Sequence, residues 1–382
     1  MTQANATPET VQIDRAIEPI AGIPWSPGVG APIVGSEPPS GAGAVPRQDA
    51  VVRPDSLSDA PGGSTAKLGY MAGPIHDDEP DTTESTVRTL LERQCPQWAD
   101  LPLSSLQTSG SDNAMWRLHA REGHDLVVRL PRRISAAASI GQELELLQHL
   151  RATTPLAADV RTPMVRHVGH ADDAFAHQWG VLEWLDGVDA WTARRSLQGD
   201  RGTLALDVAR IVRALGRLPD MVVAEREPGD RGGPIEPLLH RLAWWLTDPR
   251  WNAASLVDVK AVKHIAAKAL ELAGAPVTKR FVHGDLIPGN LLVRRGSVSA
   301  VIDWGSAAIA DPAQDLAPAW ALFDKHGRDT FRDAVGADDA TWLRAQAFEL
   351  EHAVGGVLYY TPRRHPLGDV MARTLNRILE DT

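Results

Sequence analysis

Apolar positions change their spacing twice along the chain. Residues 1–80 keep neither a helical nor a strand period and are dense in Pro, Gly, Ala and Ser, as in GIPWSPGVGAPIVGSEPPSGAGAVP. Few large apolar side chains stand there, so too little surface can be buried to offset chain entropy. The reading is a disordered N-terminal extension, with Met71 as a second candidate start. Order is expected from Asp81, read as a helix cap with Glu84 three residues later in a capping box. Val87, Leu90 and Leu91 then form one apolar stripe. SLQTSGSDNAMWRLHA predicts strand, polar turn and strand, and the β-branched DLVVRLPR predicts another strand. SAAASIGQELELLQHL carries Ile140, Leu144, Leu147 and Leu150 on one helical face, and WGVLEWLDG is an apolar strand stopped by Asp186-Gly187.

From about residue 190 the period becomes helical. DVARIVRALGRL, LLHRLAWWL and AVKHIAAKALELA are amphipathic segments. One interruption stands out. FVHGDLIPGNLLVRRGSVSAVIDWG holds two short apolar runs, NLLV and SAVID, around Arg-Arg-Gly-Ser, which predicts a hairpin inside a helical domain. The division is an extension over 1–80, a strand-rich lobe over 81–186, and a helical lobe over 187–382 that carries the hairpin at 281–305.

Composition narrows the function. A chain of 382 residues suits two lobes better than one core. Its formal net charge of −10 argues against a nucleic-acid binder. No apolar run approaches membrane-spanning length, and the N-terminus lacks the pattern of a signal peptide. The single cysteine, Cys95, fits a reducing cytoplasm and reads as an inert thiol, with no His or cation beside it in sequence. The twelve Trp residues, Trp244, Trp245 and Trp251 among them, read as core or groove lining.

The densest chemistry lies in the hairpin region. His283-Gly284-Asp285 is followed by Asn290 and, at the end of the second apolar run, by Asp303. Phosphoryl transfer needs a carboxylate to orient a hydroxyl and accept its proton. It also needs oxygen ligands that hold Mg²⁺ against phosphates, all on rigid backbone. Asp285 suits the first role. Asn290 and Asp303 suit the second, since Mg²⁺ takes few protein oxygens and keeps the rest of its shell for phosphate and water. His283 reads as a residue that positions the loop.

HGDLIPGNLLV…VIDWG resembles the signature of the aminoglycoside phosphotransferase family, relatives of the protein kinases. The His-Gly-Asp block with its Asn is similar to the kinase catalytic loop, and Ile302-Asp303-Trp304-Gly305 stands where kinases have Asp-Phe-Gly. Asp311-Pro312…Asp315-Leu316 also fits the family pattern, in which such an Asp braces the catalytic loop. The resemblance covers roughly residues 82–378. It implies an α+β, two-lobed protein-kinase-like fold, with a small β-rich N-lobe and a larger helical C-lobe. It implies Asp285 as catalytic base, Asn290 and Asp303 as Mg²⁺ ligands, and ATP or GTP as phosphate donor. It further implies that Ser109, Gly110 and Ser111 form a turn over the phosphates. Glu183 and Leu185 would meet the adenine edge through backbone groups.

Arg129 takes the place where the kinase pattern has Lys, and Glu143 is the matching helix Glu. Arg keeps the cation but is bulkier and is not a neutral exchange. The plain alternative for the pair is a surface ion bridge. The acceptor is expected to be a small hydroxylated molecule, cationic if the acids of the C-terminal part hold it. Those acids are Asp324, Asp329, Asp333, Asp338, Asp339, Glu349 and Glu351. Aminoglycosides, macrolides and other hydroxylated metabolites all stay open, as does a nucleotide-binding module that has lost turnover.

Overall fold

A computed structural model describes residues 80–106, 113–120, 124–153, 156, 160–193, 201–218 and 223–381. Apart from Pro80, the expected disordered extension lies outside the described residues, as do Met71 and the Ser109–Ser111 turn.

Strand alternation builds the N-lobe. Strands β1 (Leu103–Ser105), β2 (Asn113–Leu118), β3 (Leu126–Pro131), β4 (Val165–Gly169) and β5 (Trp179–Glu183) form one antiparallel sheet in the order β1-β2-β3-β5-β4. Successive side chains of β3 face opposite sides. Val128 and Leu130 pack with Trp179 and Val181 against Val87, Leu90, Leu91 and Cys95 of helix α1 (Glu84–Gln94) and its C-cap. Val127 and Leu182 face the other way, toward Ile140, Leu144, Leu147 and Leu150 of helix α2 (Ile134–Thr153). Each fully buried aliphatic side chain contributes about 1.5–3 kcal/mol, so the two helices clamp the sheet from both faces. Burial pushes the Cys95 thiol up to about 11, which keeps it protonated and unreactive.

The start of α1 departs from the capping box expected at Asp81. Thr83 is the N-cap and makes no side-chain cap bond. Asp81 instead accepts from Thr83 N–H at 2.9 Å and from the Thr86 hydroxyl at 2.9 Å. It thus ties the entering chain to the first turn from two residues further out.

After β6 (Val188–Asp189) the chain is mainly helical, through α3 (Ala190–Ala193), α4 (Arg201–Leu215), α5 (Ile235–Thr247) and α6 (Val259–Leu270). Beyond the catalytic region follow α7 (Ala319–Leu322), α8 (Lys325–Val335), α9 (Asp339–Tyr360) and α10 (Leu367–Glu380). Helix α9 is the hub of this lobe, buried from Ala347 through Leu358 and packed against α5, α6 and α10. From Ala353 to Leu358 its sequence is apolar all round, as a central helix requires, while Glu349, Glu351 and His352 are buried polar residues just before that stretch. Trp179, Trp304 and Trp320 are fully buried, whereas Trp244 is 43% exposed and stacks edge-on with Trp251. The Trp residues therefore divide between core and surface.

Between α6 and α7 run β7 (Arg280–Val282), the hairpin strands β8 (Leu291–Arg294) and β9 (Ser297–Val301), and β10 (Ala308–Ala310), which pairs with β7. The hairpin closes on two residues, Arg295 at φ 54° and Gly296 at φ 86°, the paired left-handed geometry of a type I′ turn. Strand β6, just beyond the linker between lobes, adds to β8. On the other side, Arg161, ahead of β4, bonds to β9. Its N–H donates to Ser299 O at 3.0 Å, and Val301 N–H donates to Arg161 O at 3.0 Å. The fold is α+β with a small β-rich N-lobe and a larger helical C-lobe, as expected. Among the described residues no helix is long and apolar enough to cross a membrane.

Candidate active site

Strand β7 ends in buried Phe281 and Val282 and delivers His283-Gly284-Asp285 to the base of the cleft. Buried Asp315 holds this loop by accepting the N–H of His283 and of Gly284, each at 2.8 Å. Burial pushes its carboxyl up to about 6 even so. Gln314 donates from Nε2 to Gly284 O at 3.1 Å. Gly284 sits at φ 81°, and a Cβ there would lie 2.2 Å from Ser306 O. Both the backbone angle and the contact demand glycine.

The His283 ring lies edge-on against Trp304, with centroids 4.7 Å apart. Its Nδ1 accepts Asp285 N–H at 3.2 Å, and Nε2 faces Ile302 O at 3.2 Å. That network assigns the proton to Nε2. Burial lowers the imidazole to about 4, so it is neutral and braces the loop.

Asn290 and Asp285 are brought together. The Asn290 amide donates to Asp285 O at 2.8 Å and to Asp285 Oδ2 at 3.0 Å. That orientation leaves Asn290 Oδ1 as the oxygen able to face a cation. Ile302 N–H donates to Asn290 O at 3.0 Å, so the loop and the residue before Asp303 share one backbone rung. Burial raises Asp285 to about 6, with Arg231 acting downward and Asp303 upward. At neutral pH the carboxylate is ionised and able to take a proton.

Asp303 occupies a left-handed corner at φ 64° and ψ 69°, with its side chain 46% exposed. Its Oδ1 accepts Arg129 Nη2 at 3.1 Å. The same guanidinium donates from Nη1 to Glu143 Oε1 at 2.5 Å, and that oxygen also takes Trp304 N–H at 3.0 Å. The Arg129–Glu143 pair joins β3 to α2 and is buried, its side chains 7% and 3% exposed, so it is not a surface bridge. Glu143 and Asp303 outweigh the desolvation of Arg129 and hold its pKa above the ordinary arginine value.

Glu183 uses its N–H on Met164 O at 2.8 Å and its carboxylate on Arg161 at 2.5 Å, while Leu185 is buried beside it. A cavity of about 270 Å³ opens at this linker, lined by Leu126, Arg161, Glu183, Leu185 and Arg294 among others. Neither Arg129, Asp285 nor Asp303 lines it.

Sequence spacing missed three groups around Asp285. Arg226 donates to Ser306 O, and its charge, with that of Arg231, acts on Asp285. His352, on α9, also acts on Asp285. The two arginines sit in EREPGDRGG, which has no period. His352 reads as one of several polar residues of α9, next to Glu349 and Glu351, a weak signal by itself.

A β-rich lobe set on a helical lobe, with this loop and hairpin between them, defines a kinase-like phosphotransferase. The model of the Phosphotransferase enzyme family, APH, matches residues 106–348, more than half of the chain, and the chain belongs to that family. It is a small-molecule kinase with an alcohol group as acceptor. Solved structures share the fold. The GDP and kanamycin complex of APH(2'')-IIIa is 20% identical, with a TM-score of 0.59, over 77% of this chain and 97% of that one. The macrolide 2'-phosphotransferase MphH from Brachybacterium faecium is 21% identical, with a TM-score of 0.52, over 76% and 98%. The ADP-bound aminoglycoside phosphotransferase APH(2'')-Ib is 17% identical, with a TM-score of 0.50, over 78% and 97%. No curated protein matches the chain.

Proposed function

We propose that this enzyme moves the terminal phosphate of ATP or GTP, in the presence of Mg²⁺, onto a hydroxyl of a cationic small molecule, an aminoglycoside or macrolide among the candidates. The observation that carries the reading is Asp285, ionised near neutrality and bonded to Asn290, on a loop tied by one rung to the segment before Asp303. Asp285 orients the acceptor hydroxyl and accepts its proton. Asn290 Oδ1 and the half-exposed Asp303 carboxylate suit a hard cation. When bound there, Mg²⁺ would neutralise phosphate charge. Arg129 turns its cation toward the phosphates, Ser109, Gly110 and Ser111 cover them, and the linker at Glu183 and Leu185 meets the base. The proposed lobes are 81–186 and 187–382. GDP, ADP and kanamycin in the solved neighbours support a nucleotide donor and a cationic acceptor.

A second reading, a nucleotide-binding module without turnover, has one observation behind it: Arg129 stands in the lysine position and reaches Asp303. An acceptor screen separates the two. Aminoglycosides, macrolides and simple alcohols are incubated with Mg²⁺ and ATP or GTP, and products are weighed for one added phosphate. Nucleotide binding with no phosphorylated product from any acceptor would select the module.

A further inference from the structure

Two strands carry one residue too many, and both extra residues meet at one place. In the β4–β5 ladder, Val165 pairs with Leu182 and His167 with Val181, so Arg166 has no residue opposite. In the hairpin, Leu292 pairs with Ala300 and Val293 with Val298, which leaves Ser299 over. Each is a β-bulge, which breaks the ladder locally and re-aims a side chain. The bulges belong to different lobes, yet Arg166 and Ser299 both line the cavity of about 270 Å³ at the linker.

The charges on that wall are unevenly matched. Its acids are Asp125, Glu183 and Asp186. Asp125 accepts Arg117 Nη2 at 2.6 Å and Ala120 N–H at 2.9 Å. Glu183 accepts Arg161 Nη2 at 2.5 Å. Asp186 accepts Trp184 Nε1 at 3.1 Å through Oδ1, and among the described residues Oδ2 takes no donor. The wall also carries Arg166 from β4 and Arg294 from β8. Both are exposed, and among the described residues no ion pair or hydrogen bond engages either guanidinium. Two like charges around one concavity repel, and the fold leaves that cost in place.

We propose that this cavity is a binding site, separate from the catalytic one, for a small hydroxylated anion, whether a phosphate monoester or a hydroxy acid. An anionic group between Arg166 and Arg294 relieves their repulsion, and each guanidinium offers a fork of donors that matches phosphate or carboxylate oxygens. Asp186 Oδ2 accepts from the ligand's hydroxyls. The volume lies just below the roughly 300–1,000 Å³ of small-molecule sites, so the ligand is compact. Arg129, Asp285, Asn290 and Asp303 do not line the cavity, and neither do Leu292 and Ile302 of the same hairpin region. Such a site stands whether or not the chain transfers phosphate.

The test is calorimetric titration of the full chain, with Mg²⁺ and saturating ADP filling the nucleotide site. The probes are glycerol phosphate, glycerate and methyl phosphate, with glycerol as the uncharged control. Glycerol phosphate or glycerate should bind at one site per chain, and glycerol should give no binding heat. Arg166→Gln and Arg294→Gln should each weaken the anion roughly ten- to hundredfold, the range of a charge-assisted hydrogen bond. Arg295→Gln removes the same charge from the adjoining turn position, which does not line the cavity, and should change affinity by less than about twofold. Tighter binding of glycerol phosphate assigns the site to phosphate esters, and tighter binding of glycerate assigns it to hydroxy acids. Methyl phosphate should bind roughly three- to tenfold more weakly than glycerol phosphate, and equal affinity would overturn the hydroxylated class. Binding of neither anion, binding only when ADP is left out, affinity unmoved by Arg166→Gln and Arg294→Gln, or an equal loss in Arg295→Gln would overturn the site.

Discussion

Replacing Arg129 by Met keeps the bulk of the side chain and removes the cation shared by Glu143 and Asp303. The two carboxylates respond differently. Glu143 is 3% exposed, and stripping one partner from a buried pair costs about 3–5 kcal/mol. Asp303 is 46% exposed, so water takes over and its share is under about 1 kcal/mol. Trp304 N–H stays on Glu143 and offsets part of the loss. Arg129→Met alone should therefore destabilise the chain by about 3–4 kcal/mol. Glu143→Gln alone keeps an amide oxygen for both donors and should cost about 1–3 kcal/mol. The double variant removes both charges together, and its cost should fall short of the sum by at least about 2 kcal/mol. Urea unfolding of the four proteins measures this, provided the m-values agree. Costs that add to within about 0.5 kcal/mol would show that the two side chains are energetically independent and refute the buried-bridge account.

Further outcomes follow from the catalytic loop. With Asp285 raised to about 6, its active form is the carboxylate, so kcat/KM should climb as pH rises through about 6 and level off above it; a profile flat down to about pH 4.5 would deny Asp285 that role. Gly284→Ala brings a Cβ to 2.2 Å from Ser306 O, forcing a shift of about 1 Å, and should cut kcat about a hundredfold with the fold intact. Retention of more than half the turnover would contradict the packing. Asp315→Ala strands the N–H groups of His283 and Gly284, each worth about 1–3 kcal/mol, and a loss under about 1 kcal/mol in urea unfolding would deny it the bracing role. Asp303→Ala should abolish the Mg²⁺ dependence of nucleotide affinity in titration calorimetry, and an unchanged dependence would remove it from the metal set.

Local chemistry was the legible part. Arg295-Gly296 between two apolar runs announced the hairpin, and the spacing of Val87, Leu90 and Leu91 announced α1, because both depend on near neighbours. Strand β4 escaped notice since Arg166 and His167 break its apolar pattern. Strands β7 and β10 are three residues each, too short to show a period. At the site, the spacing from Asp285 to Asn290 is local and was readable. The bond from Arg129 to Asp303 spans 174 positions and exists only once both lobes are folded. The acids of the last eighty residues looked interchangeable in sequence. Burial and partners separate the helix caps Asp324 and Asp338 from the surface charges Asp329 and Asp339, and both from the buried Glu349.

The hairpin of β8 and β9 is fastened on two sides. Strand β6 holds it from the linker, and two backbone hydrogen bonds from Arg161 hold it from the N-lobe. The ribbon thus belongs to both lobes by main-chain bonds, whichever side chains line the cleft. Asn290 and the root of Asp303 share that backbone support, because Ile302 N–H donates to Asn290 O. Arg129 reaches Asp303 from the N-lobe sheet through a side chain alone, so substitution there can unhook one lobe from the metal-side carboxylate without touching the ribbon.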